Sequence, residues 1–251
     1  MAYREDADLE FLSKVSSEDL NDLVLCLTKD KDGETRFTEE LTFSEEYKKY
    51  YPDHHQYWRS IAAEIQCFGA NSFVTMLRGG KGVCYKEVLT DVCDKLKANY
   101  NEKANVERIE DGLLMKICAD AIDKMTPEQR KELAESIGLE NTTNFGPEAF
   151  VGIFQAVFTA GGFKSYQLTL IVVNAVVKAI CGRGIALAGN AAITRVFSVL
   201  TGPIGWVISG LWTIIDIAGP AYRVTLPAVV YVALLRKKYL YNSVAEKATF
   251  S

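Results

Sequence analysis

The stretch WRSIAAEIQCFG, residues 58–69, places Trp58, Ile61, Ala62, Ile65 and Phe68 along one stripe at helical spacing. Gly69 follows in the usual helix-stop position, and Pro52 precedes the start. Alternation of apolar and polar residues, the mark of a half-buried strand, is nearly absent from the chain. The same helical reading extends in both directions from this segment.

Upstream, Ser17 is the expected cap of a helix in which Leu20, Leu23, Val24 and Leu27 repeat. Downstream, a helix near 84–98 carries Val88, Leu89, Val92 and Leu96 on one face. Another near 105–125 carries Ile109, Leu113, Ile117 and Ala121. The run Thr126-Pro127-Glu128-Gln129 is a strong start: Thr caps, Pro takes the first helical position and Gln closes a capping box. That helix is expected to stop at Gly138. Beyond it, Gly and Pro divide the chain into apolar helical pieces at about 147–160, 165–181, 184–200, 203–217 and 224–241. The fold class is therefore all-α, a multi-helix bundle with an acidic amphipathic amino-terminal part and a strongly apolar carboxy-terminal part.

Charge divides the chain in the same place. Residues 1–148 carry 19 Lys+Arg against 30 Asp+Glu, whereas residues 149–251 carry 9 against 2. The expected organisation is an acidic helical sensor or shield region over 1–140, an apolar helical region over 147–241 and a tail over 242–251, with 138–147 as linker. The six cysteines lie apart without a CxxC pair and read as reduced cytosolic thiols. The acidic start, MAYREDADLEF, lacks the apolar run of a secretory signal, so none is expected.

The longest uncharged window, VFSVLTGPIGWVISGLWTII (Val196–Ile215), has the length to cross a hydrocarbon core of about 30 Å as one helix. Gly202-Pro203 interrupts it, since proline inside a helix costs about 3 kcal/mol in water. The two pieces suit a helical hairpin that enters a bilayer or lies in a bundle core. In the membrane reading Gly202, Pro203 and Gly205 set the turn, and Trp206 and Trp212 are interface anchors. The Arg236-Lys237-Lys238 run with Tyr239 and Tyr241 would sit at the same interface. Asp216 is the single acid of this apolar stretch, and Arg223, Arg195 and Arg183 are its available partners. A pair of Asp216 with Arg223 or Arg195 would either fix helix register in a buried core or hold a closed state that opens when the hairpin moves.

Tests for chemistry return little. The adjacent His54 and His55 would point about 100° apart on a helix, which suits an exposed or capping pair better than one metal. Gly79-Gly80-Lys81-Gly82 lacks the phosphate-loop spacing and reads as a turn. The runs Glu39-Glu40, Glu45-Glu46 and Lys48-Lys49 read as solvated faces. No catalytic residue, cofactor or metal site is expected, and a net acidic soluble part disfavours nucleic acid.

Three segments carry a resemblance: Tyr3–Thr28 (YREDADLEFLSKVSSEDLNDLVLCLT), Leu77–Leu96 (LRGGKGVCYKEVLTDVCDKL) and Asp216–Arg236 (DIAGPAYRVTLPAVVYVALLR). Together they resemble the YaaW-type family of bacterial proteins, most specifically at Gly219–Thr225. Some members of that family are labelled as related to ubiquinol–cytochrome c chaperones. The resemblance implies a bacterial cytosolic protein and brings no known catalytic residues.

Two functions are expected side by side. One is a latent, pore-forming-like membrane-disrupting protein, a triggered anti-phage or self-limiting effector. It would sit in the cytoplasm when latent, meet a protein trigger through its acidic part, homo-oligomerise and insert its apolar helices into the inner membrane. The other is a non-enzymatic chaperone or assembly factor that binds an apolar segment of a client protein.

Overall fold

The computed structural model describes residues 2–36, 39–69, 82–136, 138–139, 146–185 and 221–249. Over these residues it is a bundle of α-helices: α1 (Ser17–Thr28), α2 (Glu45–Tyr50), α3 (Trp58–Gly69), α4 (Tyr85–Leu96), α5 (Val106–Ile122), α6 (Pro127–Ser136), α7 (Pro147–Ala160), α8 (Gly162–Cys181) and α9 (Tyr222–Thr249). Short 3₁₀ turns precede α1, α2 and α3. The described residues contain no strand; Lys29 and Thr35 form an isolated antiparallel bridge.

Local chemistry accounts for most helix starts. Ser16, not Ser17, caps α1 by accepting the Asp19 N–H at 3.2 Å. Ser17 is the first helical residue, and its hydroxyl instead donates to the Pro52 carbonyl and accepts the His54 N–H. Ser44 caps α2 and Asn105 caps α5 in the same way. The box at Thr126 closes on both sides: the Gln129 N–H donates to the Thr126 hydroxyl at 3.3 Å, and the Thr126 N–H to Gln129 Oε1 at 2.9 Å. The stripe of α3 points inward as expected, with Ile61, Ala62 and Ile65 buried and Trp58 and Phe68 packed at its edge.

Helix α9 lies at the centre. It packs on α8, α1, α3, α4, α5 and the 3₁₀ turn Glu10–Lys14, and residues 224–236 are buried without a break. A helix apolar all round must be enclosed. Val229, Val230, Val232 and Leu234 are wholly out of water, and each such side chain contributes about 1.5–3 kcal/mol. Helix α8 is long and apolar enough to cross a membrane by length and composition. Of its most apolar 18-residue window, 72% is buried inside the protein. Around this pair, α4 packs on α5, and α5 on α7.

Candidate functional site

A network of polar groups threads the core beneath the amino terminus. Gln66, fully buried on α3, clamps the extended chain at Arg4: the Arg4 N–H donates to its Oε1 at 3.0 Å, and its amide donates to the Arg4 carbonyl at 2.9 Å. The same amide reaches Asp6 Oδ2 at 3.2 Å, and Asp6 Oδ2 accepts the Tyr85 N–H at 2.6 Å. Cys84, in the capping position of α4, makes no side-chain cap bond. A carboxylate from 79 residues away supplies the missing acceptor at the positive end of the helix.

Deeper in the core, Arg236 of α9 donates through Nε to both oxygens of Glu110, at 3.1 and 3.0 Å, and through Nη2 to the Asp8 carbonyl at 2.7 Å. The Tyr85 hydroxyl adds a bond to Glu110 Oε1 at 2.8 Å, and the guanidinium lies 4.3 Å above the Phe11 ring. Burial works against the charge on Arg236, but the Glu110 carboxylate and Tyr85 hold its pKa above the ordinary value. Burial likewise raises Glu110, against the pull of Arg236. Lys237 pairs with Asp111 at 2.5 Å and Lys238 with Asp19 at 2.6 Å. The basic run expected at a membrane interface is thus paired, residue by residue, with acids of the amino-terminal half.

Above Gln66 the surface opens into a groove of about 570 Å³ lined by Tyr3, Glu40, Phe43, Ser44, Glu46 and Arg59, with Ser60 and Ala63 on its α3 side. Its lining comes from the amino-terminal chain, the 3₁₀ turn Leu41–Phe43 running into α2, and α3. Tyr3 meets Trp58 edge-on at 5.6 Å, and Arg59 covers the Trp58 ring at 4.7 Å. Phe43 stands 69% exposed on the rim, an apolar surface that water solvates poorly.

Beside the groove, Glu64 is 2% exposed. Its Oε1 accepts the Glu40 N–H at 3.1 Å, and its Oε2 has no hydrogen-bond partner among the described residues. Burial raises its pKa to about 8, reinforced by the negative charges of Glu39 and Glu40 and opposed by the Glu40 N–H. At neutral pH Glu64 is therefore mostly a neutral acid. Glu39, read from sequence as part of a solvated face, is also only 2% exposed: its carboxylate accepts the Thr42 N–H at 2.9 Å and the Thr42 hydroxyl.

The remaining sequence candidates separate clearly. Gly202, Pro203, Gly205, Trp206, Trp212, Asp216 and Arg195 lie outside the described residues, as do Gly79, Gly80 and Lys81. Arg223 is on the exposed first turn of α9. Arg183 donates to the Leu25 carbonyl at 2.9 Å. Gly82 is a packing residue: a Cβ there would lie 2.2 Å from the Gln66 carbonyl carbon. His55 is exposed, but His54 is a core residue, bonded to Asn21 Oδ1 at 3.1 Å and to the Tyr57 hydroxyl, and burial lowers its pKa. Among the described residues no group of three or more His, Cys, Asp or Glu side chains is arranged to hold a metal ion. Phe43, Arg59 and Glu64 escaped the sequence reading because nothing in their local pattern marks a groove.

The profile of the ubiquinol–cytochrome C chaperone family matches residues 53–230, and that of a domain of unknown function matches residues 3–37. The groove lies where the two meet, with 39–50 between them supplying Phe43 and Glu46. The chain is 51% identical over 238 residues to a UPF0174 protein of Helicobacter pylori strain J99, covering 95% of this chain and 94% of that one. A second UPF0174 protein of the same strain is 42% identical over 204 residues, 80% of this chain and 97% of its own. The UPF0174 protein YaaW of Escherichia coli K12 is 30% identical over 241 residues, 94% of this chain and 95% of that one. No solved structure matches the chain.

Proposed function

We propose that this chain, which belongs to the ubiquinol–cytochrome C chaperone family, is a non-enzymatic assembly factor that holds an apolar segment of a client protein in the groove between α3 and the 41–50 turn. The observation that carries this reading is Phe43, left 69% exposed on the rim of an open groove. Glu40 and Glu46 line the same space as Phe43, so a segment with an aromatic or branched side chain beside a Lys or Arg is the complementary shape and charge. The family's name points to the ubiquinol–cytochrome c system as the source of the client. The protein would act from the cytoplasm on a client destined for the inner membrane.

The test is site-specific photo-crosslinking in living bacteria, with benzoylphenylalanine replacing Phe43. A discrete adduct to a respiratory-chain protein, weakened by Arg59→Glu and absent when the probe replaces exposed Lys131 on α6, is expected. Equal labelling from both positions, or none from position 43, would reject the groove as the binding site.

The membrane-disrupting reading draws support from α8 alone among the described helices, and α8 is mostly covered. Loss of membrane potential on induced expression, followed with a potential-sensitive dye, would favour it over the assembly factor.

A further inference from the structure

Two buried thiols that no functional reading uses lie in contact. Cys26, in the last turn of α1, and Cys181, the final residue of α8, place their sulfurs 3.8 Å apart across 155 residues of chain. They are 1% and 2% exposed, and both are free. A disulfide needs the sulfurs about 2 Å apart, so the two must approach by a little under 2 Å, within the reach of side-chain rotation and a small helix shift.

The surroundings of the two sulfurs differ. Contact with Cys26 and the guanidiniums of Arg36 and Arg183 draw the Cys181 thiol below its ordinary pKa, against the effect of burial. Contact with Cys181 and burial push Cys26 up. The Arg36 side chain also acts as a hydrogen-bond donor to this sulfur. Access differs too. Cys181 is followed by Gly182, in the left-handed conformation and exposed, and by half-exposed Arg183, so opening of one helical turn uncovers it. The tight seat of that turn is visible at Gly182, where a Cβ would come within 2.7 Å of the Lys31 carbonyl.

We infer that Cys26 and Cys181 form a reversible dithiol–disulfide site, oxidised by low-molecular-weight disulfides of the glutathione class. The Cys181 thiolate attacks one sulfur of the oxidised glutathione, forming a mixed disulfide and expelling one glutathione thiolate, which takes up the proton Cys181 gave up. Cys26 then yields its proton and attacks the Cys181 sulfur, expelling the second glutathione. The balance is two protein thiols oxidised to one disulfide and one glutathione disulfide reduced to two thiols. The new bond ties the end of α1 to the end of α8. The other four cysteines lack this arrangement: Cys67, Cys93 and Cys118 are raised to about 11, 12 and 12, chiefly by burial, and Cys84 is raised by burial as well.

The intact protein is equilibrated in buffers of increasing oxidised-to-reduced glutathione ratio, quenched with acid, unfolded, alkylated and mapped by mass without reduction. The expected product is a peptide pair joining Cys26 to Cys181, lighter by two hydrogens than the two reduced peptides together, with the other four thiols alkylated. Cys26→Ala should stop at glutathione held on Cys181, and Cys181→Ala should leave Cys26 free. If a variant fails to fold, the wild-type map decides alone. Wild-type protein that stays folded with both thiols free throughout, a mixed disulfide on Cys181 that never resolves, or links of either residue to other cysteines would each overturn the assignment.

Discussion

Replacing Glu64 with glutamine should give a protein whose stability relative to wild type grows as pH rises, in a window the structure defines. The folded protein keeps a proton on Glu64 up to about pH 8, whereas the unfolded chain releases it near 4.5. Between those values the native state binds more protons than the unfolded state, so stability falls with increasing pH. The contribution is whole below 4.5 and gone above about 8. At about 1.4 kcal/mol per pH unit, it amounts to roughly 5 kcal/mol in all, and roughly 2 kcal/mol between pH 6.5 and 8. The side chain is almost fully out of water, so solvent screening takes little from this figure. Glutamine keeps an oxygen to accept the Glu40 N–H and carries no titrating proton. Urea unfolding followed by circular dichroism, at several pH values from 6.5 to 8, should show wild type losing about 2 kcal/mol relative to Glu64→Gln across the range. Parallel curves for the two proteins would refute the reasoning. They would mean that Glu64 titrates in the folded protein as it does in the unfolded chain, and that its pocket is wetter than the structure places it.

Arg236→Met should leave Glu110 buried without its counter-charge and cost about 3–5 kcal/mol in urea unfolding, with Arg236→Met/Glu110→Leu recovering most of the loss; a loss under about 1 kcal/mol would show the pair to be solvated. His54 is held neutral by burial, so its contribution is present above pH 6.5 and lost as pH falls below it; His54→Gln should flatten the acid limb of the stability profile, and an unchanged limb would count against that origin. Thr126→Ala should remove one side of the capping box and lower stability by about 1 kcal/mol, read by thermal melting. Gly82→Ala should cost several degrees of melting temperature, because its Cβ would overlap the α3 backbone at Gln66; a melt within one degree of wild type would place that segment elsewhere.

How much of this was legible in advance depends on the range of the interaction involved. Helix α3 is written in twelve consecutive residues, and the box at Thr126 in four, because periodicity and capping act between neighbours along the chain. The cap of α1 falls at Ser16, one residue before the expected Ser17, since the two hydroxyls are equally good acceptors by type. Only the arrival of Pro52 and His54 beside Ser17 decides which hydroxyl is free to cap.

Composition sets apart an acidic half and an apolar half, and helical periodicity gives an all-α class. The destination of the charges was not legible there. Arg236, Lys237 and Lys238 look like an interfacial anchor in sequence, yet their acids lie at Glu110, Asp111 and Asp19. Glu39 and His54 look solvent-facing, yet both are buried and hydrogen-bonded. The groove at Phe43 and the contact of Cys26 with Cys181 likewise join residues far apart in the chain. Sequence determines which segments must be helical and which faces must leave water, since those follow from local backbone bonding and the cost of wetting apolar surface. Which buried charge meets which partner, and which thiol meets which thiol, is decided only when the helices pack, because ion pairing, desolvation and sulfur contact depend on distances of a few ångströms that chain order does not encode.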